Sequence, residues 1–430
     1  MYDLVIIGAG WAGFNAAQKA KELGLKVCLI ESNQIGGTCL NHGCIPTKTL
    51  IACAKLFSLA KKSSNFGIEL DNLRVNLSAI QEKKNQVVLR LKQGMQSELT
   101  GIEFINSPAE IISAQEVKIN DRTVKAKFIL IATGSQPFCL PELKFDRKKI
   151  ISSDEALALS EIPRSLLVIG GGVIGCEFAG LFSALGSAVT IAEKMPQLLP
   201  SEDRDIARKI EVIFKKKGME VVTNAEISAF NLDNYTKVLV CVGRSANIHG
   251  LGLEKLGIEI KNNRIAVDDY LKCNLNNIYA AGDCTAKIML AHYAAYQGVT
   301  AVENMFSDSR KKADNLTVPV CIFTEPQIAS VGIKESQALA CGLRIKVYKF
   351  DFRGNAMAQI IDETEGFVKV MVNQETGLII GAAIIGPLAT ELIAPLAVAI
   401  SAGLSVSEVK AIIFAHPTFS ESLLNALNKP

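Results

Sequence analysis

The chain has 430 residues, with 46 Lys+Arg against 43 Asp+Glu, 11 cysteines and 4 histidines. A composition of 49% hydrophobic and 21% charged residues excludes a disordered or fibrous protein, and at ~150 residues per domain the length holds about three domains. The net charge of +3, with its signs interleaved, argues against a dedicated nucleic-acid binder, and a sparse, odd number of cysteines argues against a secreted disulfide scaffold.

The N-terminus enters an apolar run at residues 4–7 with no basic n-region of a signal peptide. The most apolar stretch, 377–404, is interrupted by Pro387, Glu391 and Pro395, whereas a membrane span needs ~20 predominantly apolar residues. The expected setting is reducing and cytoplasmic, with no membrane or nucleic-acid partner and with most cysteines acting as small buried hydrophobes.

The first predicted strand runs into the turn Gly8-Ala-Gly10-Trp-Ala-Gly13. A helix-forming stretch, 16–23, and a second strand, 26–30, ending at Glu31, follow. The same arrangement returns at Gly170-Gly-Gly172-Val173-Ile174-Gly175, with a strand from Ala188 ending near Glu193. Each of the four marked positions is displaced by 162 residues, and two motifs in register are far more specific than one. In a βαβ dinucleotide fold the first glycine makes the turn, the second admits a pyrophosphate and the third lets helix and strand pack closely. The helix N-terminus attracts the phosphates and the acid accepts from a ribose hydroxyl. Two sites imply two dinucleotides on one chain.

After Glu31 the first unit makes a long excursion before its strand returns at 128–134. The second returns sooner, at 238–243. A third strand-to-turn signal, 277–283, ends in Gly282-Asp283 and reads as a phosphate or ribityl contact, or simply as a Gly-Asp turn.

The excursion contains Gly36-Gly37-Thr38-Cys39-Leu-Asn-His42-Gly43-Cys44-Ile-Pro46-Thr-Lys48. Two cysteines five apart are half of a metal site or a redox disulfide. No second Cys/His pair with zinc-like spacing completes the former. The latter needs Cα atoms ~4.4–6.8 Å apart, and a regular helix holds i and i+5 roughly 8–9 Å apart. The turn must therefore be distorted, which Gly43 and Pro46 permit.

Near the C-terminus, His416 is followed by Pro417 and Glu421. Dithiol–disulfide exchange needs a base because the thiolate is the nucleophile. A histidine can take that proton, and a carboxylate on its other ring nitrogen fixes the tautomer.

The cysteine block, both glycine turns, Ala132-Thr133-Gly134, Ala280 to Asp283, Met289-Leu290-Ala291-His292, Ala329-Ser-Val-Gly332 and His416-Pro-Thr-x-Ser-Glu421 together resemble the class I pyridine nucleotide-disulfide oxidoreductases across nearly the whole chain. Residues 385–394 and 289–292 lean towards the dihydrolipoamide dehydrogenase family within that class. The resemblance implies an α/β fold with two Rossmann-like domains, for FAD and NAD, and a C-terminal α+β dimerisation domain. The implied spans are 1–144 and 263–315 for the FAD domain, 145–262 for a shortened NAD domain and 316–430 for the interface domain.

It further implies that Cys39 and Cys44 form a redox disulfide, with Cys39 meeting substrate and Cys44 facing the flavin. Lys48 would lie near the flavin, paired with Glu177, and His416 with Glu421 would supply the base from the second subunit of a homodimer. FAD contacts would come from Gly8, Gly10, Gly13, Glu31, Gly37, Thr38, Lys48, Ala109, Thr133, Gly134, Asp283, Leu290, Ala291 and His292. NAD contacts would come from Gly170, Gly172, Val173, Ile174, Gly175, Glu193 and Gly243. No resident metal is implied. The expected reaction is oxidation of dihydrolipoamide on lipoyl domains of 2-oxoacid dehydrogenase or glycine cleavage complexes, with NAD as acceptor. The rivals are a mercuric- or copper-type metal-ion reductase, a glutathione-type reductase, and a non-catalytic binding subunit.

The sequence departs from the family in three places. The stretch between Val222 and Val238 is short where a β-meander is usual, Phe414 replaces a second histidine, and Pro395 follows residues 391–394 where an acid is common. His42 and His249 carry no assigned chemistry. Glu193 favours a free 2′-hydroxyl over a 2′-phosphate, hence NAD over NADP, although Lys194 is adjacent.

Overall fold

The computed structural model describes residues 1–285, 288–313 and 317–429. The chain forms two compact units. One comprises 1–50, 78–140 and 243–314, and the other 51–77, 141–242 and 315–430.

In the first unit, strands Tyr2–Ile7, Val27–Glu31, Glu103–Asn106 and Ile278–Ala280 join the ten-residue strand Arg122–Ile131 in a parallel sheet. Arg122–Ile131 serves two purposes. Its first half pairs antiparallel with Glu116–Ile119, and its second half pairs parallel with Tyr2–Ile7. The central strands are apolar apart from Asp3 and the terminal Glu31, and are almost wholly buried, as a sheet covered by helices requires. Helices Trp11–Glu22 and Ala291–Phe306 cover one face. Their crossing is very close, since a Cβ on Gly298 would meet the Ala12 carbonyl oxygen at 2.1 Å. The first unit also takes in 243–262, which the sequence assigns to the second nucleotide domain, because Arg244–Ala246 pairs antiparallel with Ser135–Pro137. The expected boundary at 315/316 lies outside the described residues.

The second unit carries two five-stranded sheets. The parallel one runs in the order Glu220–Val222, Ala188–Ala192, Ser165–Ile169, Lys237–Val240, Ile150–Ile151. Leu4 sits beside Val27, and Leu166 beside Val189, so the 162-residue repeat holds at the level of strand register. The trimmed stretch falls outside this sheet. Two single turns of 3₁₀-helix, Ile227–Ala229 and Leu232–Asn234, take the chain straight to its next strand. The antiparallel sheet, built from 320–322, 327–332, 379–386, 367–373 and 345–351, is backed by Ala389–Ser401 and Glu421–Asn428. The apolar stretch 377–404 is thus divided into the strand Ile379–Gly386 and a helix with Pro395 inside it.

Among the described residues one helical stretch, Gly37–Lys61, reaches the length and apolarity of a membrane span. It is the cysteine segment, interrupted at Gly43 and carrying Lys48, Lys55 and Lys61.

Candidate active site

The two glycine turns are built alike. A Cβ on Gly13 would lie 1.8 Å from the Gly8 carbonyl oxygen, and one on Gly175 would lie 1.9 Å from that of Gly170, so only glycine fits where helix meets strand. Space remains open around Gly172, while a Cβ on Gly10 would have only the Gly37 Cα within 4 Å, at 3.9 Å. Both glycines are N-caps without a side-chain hydrogen bond, so the helices Trp11–Glu22 and Val173–Leu185 present uncapped amides. An uncapped helix N-terminus beside open space suits a pyrophosphate, and a strand-end carboxylate stands by each: Glu31 and Glu193, both buried. The residues present therefore fit two dinucleotides. Val173 and Ile174 form the first turn of the second helix. Gly243, expected beside NAD, begins the return of the chain to the first unit.

A polar cluster closes the first cradle. Ser135 donates through Oγ to Asp283 Oδ2 at 2.6 Å, and Arg244 donates to Ser135 Oγ and to the Ser135 carbonyl, each at 2.8 Å. Arg244 also reaches Thr38 Oγ1 at 3.4 Å. Thr133 Oγ1 donates to the Asn247 carbonyl at 2.6 Å, and Gly282 N–H donates to Gln297 Oε1 at 2.8 Å. Asp283 and Thr38 are thereby linked through Ser135 and Arg244. Ser135, Asn247 and Gln297 carry no sequence motif and emerge only from the fold. Leu290 caps the helix that begins Ala291-His292, and the His292 side chain is exposed. Ala109 lies half-buried between strands, packed against the apolar cluster that includes Val5, Ile30 and Ile129.

The cysteine segment is distorted where the sequence requires it. The helix Gly37–His42 stops at Gly43, whose φ of −141° and ψ of −115° break the helical path, and Cys44–Lys61 starts afresh. A Cβ on Gly43 would stand 3.0 Å from the Thr38 carbonyl oxygen and 3.3 Å from Cys39 Cα, so the chain folds back directly over Cys39. Pro46 falls in the first turn of the new helix, where a missing N–H costs little.

Cys39 and Cys44 are both half-buried. A hydrogen bond to Cys44, reinforced by burial, pushes the Cys39 thiol far up. Burial pushes Cys284 up to about 11, and Cys28, Cys241 and Cys273 up to about 12, which makes them inert beside the pair. Among the described residues no group of three or more His, Cys, Asp or Glu could hold a metal ion.

Lys48 lies half-buried early in the helix Cys44–Lys61. Glu177 is buried and accepts from the Phe323 N–H at 2.9 Å. At the C-terminus, His416 Nδ1 stands 2.9 Å from Glu421 Oε1, and Glu421 Oε2 accepts from the Thr418 N–H at 2.8 Å. The Thr418 N–H and His416 hold the Glu421 carboxyl below its usual range. Glu421 opens the helix Glu421–Asn428, where the helix dipole also favours its charge. The loop is anchored by Phe419, buried edge-on to Phe352, and by Asn355, which donates to the Thr418 carbonyl at 3.0 Å. The His416 side chain itself is 71% exposed, leaving its other ring nitrogen open to a second molecule. Phe414 packs partly buried against the core of the antiparallel-sheet domain, and His42 and His249 are exposed.

Two dinucleotide cradles, a paired-thiol segment and a buttressed histidine define a flavin- and nicotinamide-dependent disulfide oxidoreductase. The chain belongs to the pyridine nucleotide-disulphide oxidoreductase family, whose main domain matches residues 2–298 and whose dimerisation domain matches residues 318–427. Enzymes of this family work with FAD and NAD. Over its full length the chain is similar to dihydrolipoyl dehydrogenase of Bacillus subtilis, being 39% identical over 447 residues that cover 99% of this chain and 97% of the relative. Dihydrolipoyl dehydrogenase of Geobacillus stearothermophilus is 38% identical, with 99% and 95% covered. Among solved structures, LpdA of Mycobacterium tuberculosis superposes with a TM-score of 0.92 at 28% identity, covering 99% and 98% of the two chains. The HOCl-induced flavoprotein disulfide reductase RclA of Escherichia coli does so with 0.89 at 29% identity, covering 99% of each.

Proposed function

We propose that this chain oxidises dihydrolipoamide borne on lipoyl domains, passing the electrons to NAD as a homodimer in the cytoplasm. The observation that carries the reading is the thiol pair folded across Gly43, set in a chain that matches dihydrolipoyl dehydrogenases end to end. FAD would be held by the first cradle, with Asp283, Thr38 and Glu31, and NAD by the second, with Glu193. When bound, they supply the electron acceptors beyond Cys44.

The protein's own residues perform the exchange. A substrate thiolate attacks Cys39 of the Cys39–Cys44 disulfide, and Cys44 leaves as a thiolate. This gives a mixed disulfide between substrate and Cys39. His416 then removes the proton from the second substrate thiol, which attacks the substrate sulfur of that disulfide. The lipoyl ring closes and Cys39 leaves with the electron pair. Glu421 holds the His416 ring by Nδ1 and balances the charge it gains. Lys48 would set the charge near the flavin.

A metal-ion or glutathione-type reductase draws less support. Glu193 disfavours the 2′-phosphate of NADPH, and the full-length relatives are dihydrolipoyl dehydrogenases. The exposed His416 supports an active site completed by a second subunit. Mixing Cys39→Ser and His416→Gln chains tests this. A shared site restores activity in the mixed dimers, because one of their two sites holds both native residues; a site contained within one chain restores none. Turnover with NAD and dihydrolipoamide, set against glutathione disulfide and metal ions, tests the substrate.

A further inference from the structure

The second residue group to bear on Cys39 lies in the first glycine turn. Trp11 is the single tryptophan of the chain and the first residue of its helix. The turn and the cysteine segment touch: a Cβ on Gly37 would come within 2.8 Å of the Gly10 Cα. Trp11 follows Gly10 directly, and Cys39 is two residues beyond Gly37. The indole ring is partly exposed, but its Nε1 is enclosed and makes no hydrogen bond to any described group. The same side chain favours the ionised form of the Cys39 thiol. A buried N–H without a partner is costly, and such a group in a native structure calls for an occupant. In the dithiol form Cys39 is engaged with Cys44, and a thiol sulfur is a poor acceptor. A thiolate is a much better one, because hydrogen bonds to ionised groups are roughly twice as strong.

We propose that Trp11 is a positioning residue for Cys39, its indole N–H donating to the Cys39 sulfur when that atom carries negative charge. This deepens the proposed function and rests on it in one respect, the role of Cys39 as the thiol that meets substrate. In the second exchange the bond between Cys39 and the substrate sulfur breaks, the sulfur–sulfur bond of the substrate ring forms, and the electron pair stays on Cys39. The indole N–H meets that charge in a site shielded from water, as a preformed donor does wherever charge develops. In the reverse direction it favours the Cys39 thiolate as the attacking group.

The single tryptophan makes the test direct. In FAD-loaded Cys44→Ser protein, labelled with 15N-tryptophan, one indole N–H resonance reports on Trp11 alone. It should shift downfield with pH along the same curve as Cys39 alkylation by iodoacetamide, and the shift should vanish in the Cys39→Ser, Cys44→Ser protein. Trp11→Phe keeps the ring and removes the donor. It should retain its FAD while the alkylation midpoint rises by about one pH unit, as loss of a hydrogen bond to a charged group predicts. An indole resonance indifferent to Cys39, an unmoved alkylation midpoint, or loss of FAD from Trp11→Phe with the midpoint unmoved would each overturn the proposal. The last result would assign the N–H to the cofactor. No substrate is used, so failure here leaves the substrate reading intact. Equally, failure of dihydrolipoamide turnover leaves the coupling measurable.

Discussion

Glu31 and Glu193, 162 residues apart, make the same two backbone hydrogen bonds. Glu31 accepts from Ala9 N–H at 2.7 Å and from Asn33 N–H at 2.8 Å; Glu193 accepts from Gly171 N–H at 2.5 Å and from Met195 N–H at 2.7 Å. Each carboxylate is locked across its glycine turn by one bond per oxygen, which leaves lone pairs on both oxygens for ribose hydroxyls.

From Glu193 follows a preference for NAD. A 2′-phosphate would bring like charge against a buried carboxylate, at a cost of several kcal/mol. Steady-state kinetics should show kcat/KM for NADH at least ~100-fold above that for NADPH, a ratio that corresponds to about 3 kcal/mol. Glu193→Gln should narrow the gap by weakening NADH more than NADPH. An NADPH preference in the native protein would refute this role.

In the proposed function, His416 and Glu421 act on the thiols and not on the nicotinamide. His416→Gln should lower dihydrolipoamide–NAD turnover by ~10²–10⁴-fold, the usual worth of a positioned base. NADH oxidation by a quinone, which bypasses the thiols, should stay near the native rate. Glu421→Gln should give a smaller loss of the same kind. Equal losses in both assays would place the pair elsewhere in the cycle.

Stability should depend on Lys369. It is fully buried, at 0% exposure, and donates to Asp203 at 2.9 Å, Asp205 at 3.2 Å and Glu335 at 2.5 Å. Lys369→Met removes the shared lysine from all three, leaving Asp205 with Lys349 alone and the buried Asp203 without this ion pair, and should cost about 3–5 kcal/mol in urea unfolding. Burial alone would push the Asp205 carboxyl up, but Lys349 and Lys369 outweigh it and hold the group below its usual range. Its contribution is therefore present above about pH 4 and drains away as pH falls through the depressed native value. Burial opposes the charge on Lys369, yet Glu335 and Asp203 raise its pKa above the ordinary value. That contribution is present below about pH 10 and is lost only as pH climbs through the raised native value. The difference between native and Lys369→Met proteins should be largest at neutral pH and shrink at both extremes. A difference that does not vary with pH would contradict this account.

Much of this was legible in the sequence, for definite reasons. Gly13 and Gly175 are forced by a carbonyl under 2 Å from where a Cβ would go, so the fold writes them into the chain at fixed spacing. Gly43 is forced by its approach to Cys39, and His416 and Glu421 are close enough in sequence for one turn to join them. What stayed hidden depends on long-range contact. Ser135 and Arg244 are ordinary residues 109 apart that meet because two short strands pair. Lys369 looks like a surface lysine on an alternating strand until its three carboxylates, from 34 to 166 residues away, are placed around it. Trp11 reads as a variable position of a glycine motif, and only its enclosed nitrogen singles it out.

Cys39 and Cys44 should separate spectroscopically. In native FAD-loaded protein a long-wavelength band from a thiolate lying against the oxidised flavin should appear on two-electron reduction; in Cys39→Ser, which has no disulfide to reduce, it should be present before any reductant is added, and in Cys44→Ser it should be absent. The opposite pattern would exchange the two roles.

The most direct test is turnover itself: purified FAD-loaded protein, NAD and free dihydrolipoamide, followed by the appearance of NADH. The account predicts steady NADH formation that is abolished by Cys39→Ser and not supported by reduced glutathione in place of dihydrolipoamide. No NADH from dihydrolipoamide, together with brisk NAD(P)H-driven reduction of glutathione disulfide or of copper or mercuric ions, would contradict it.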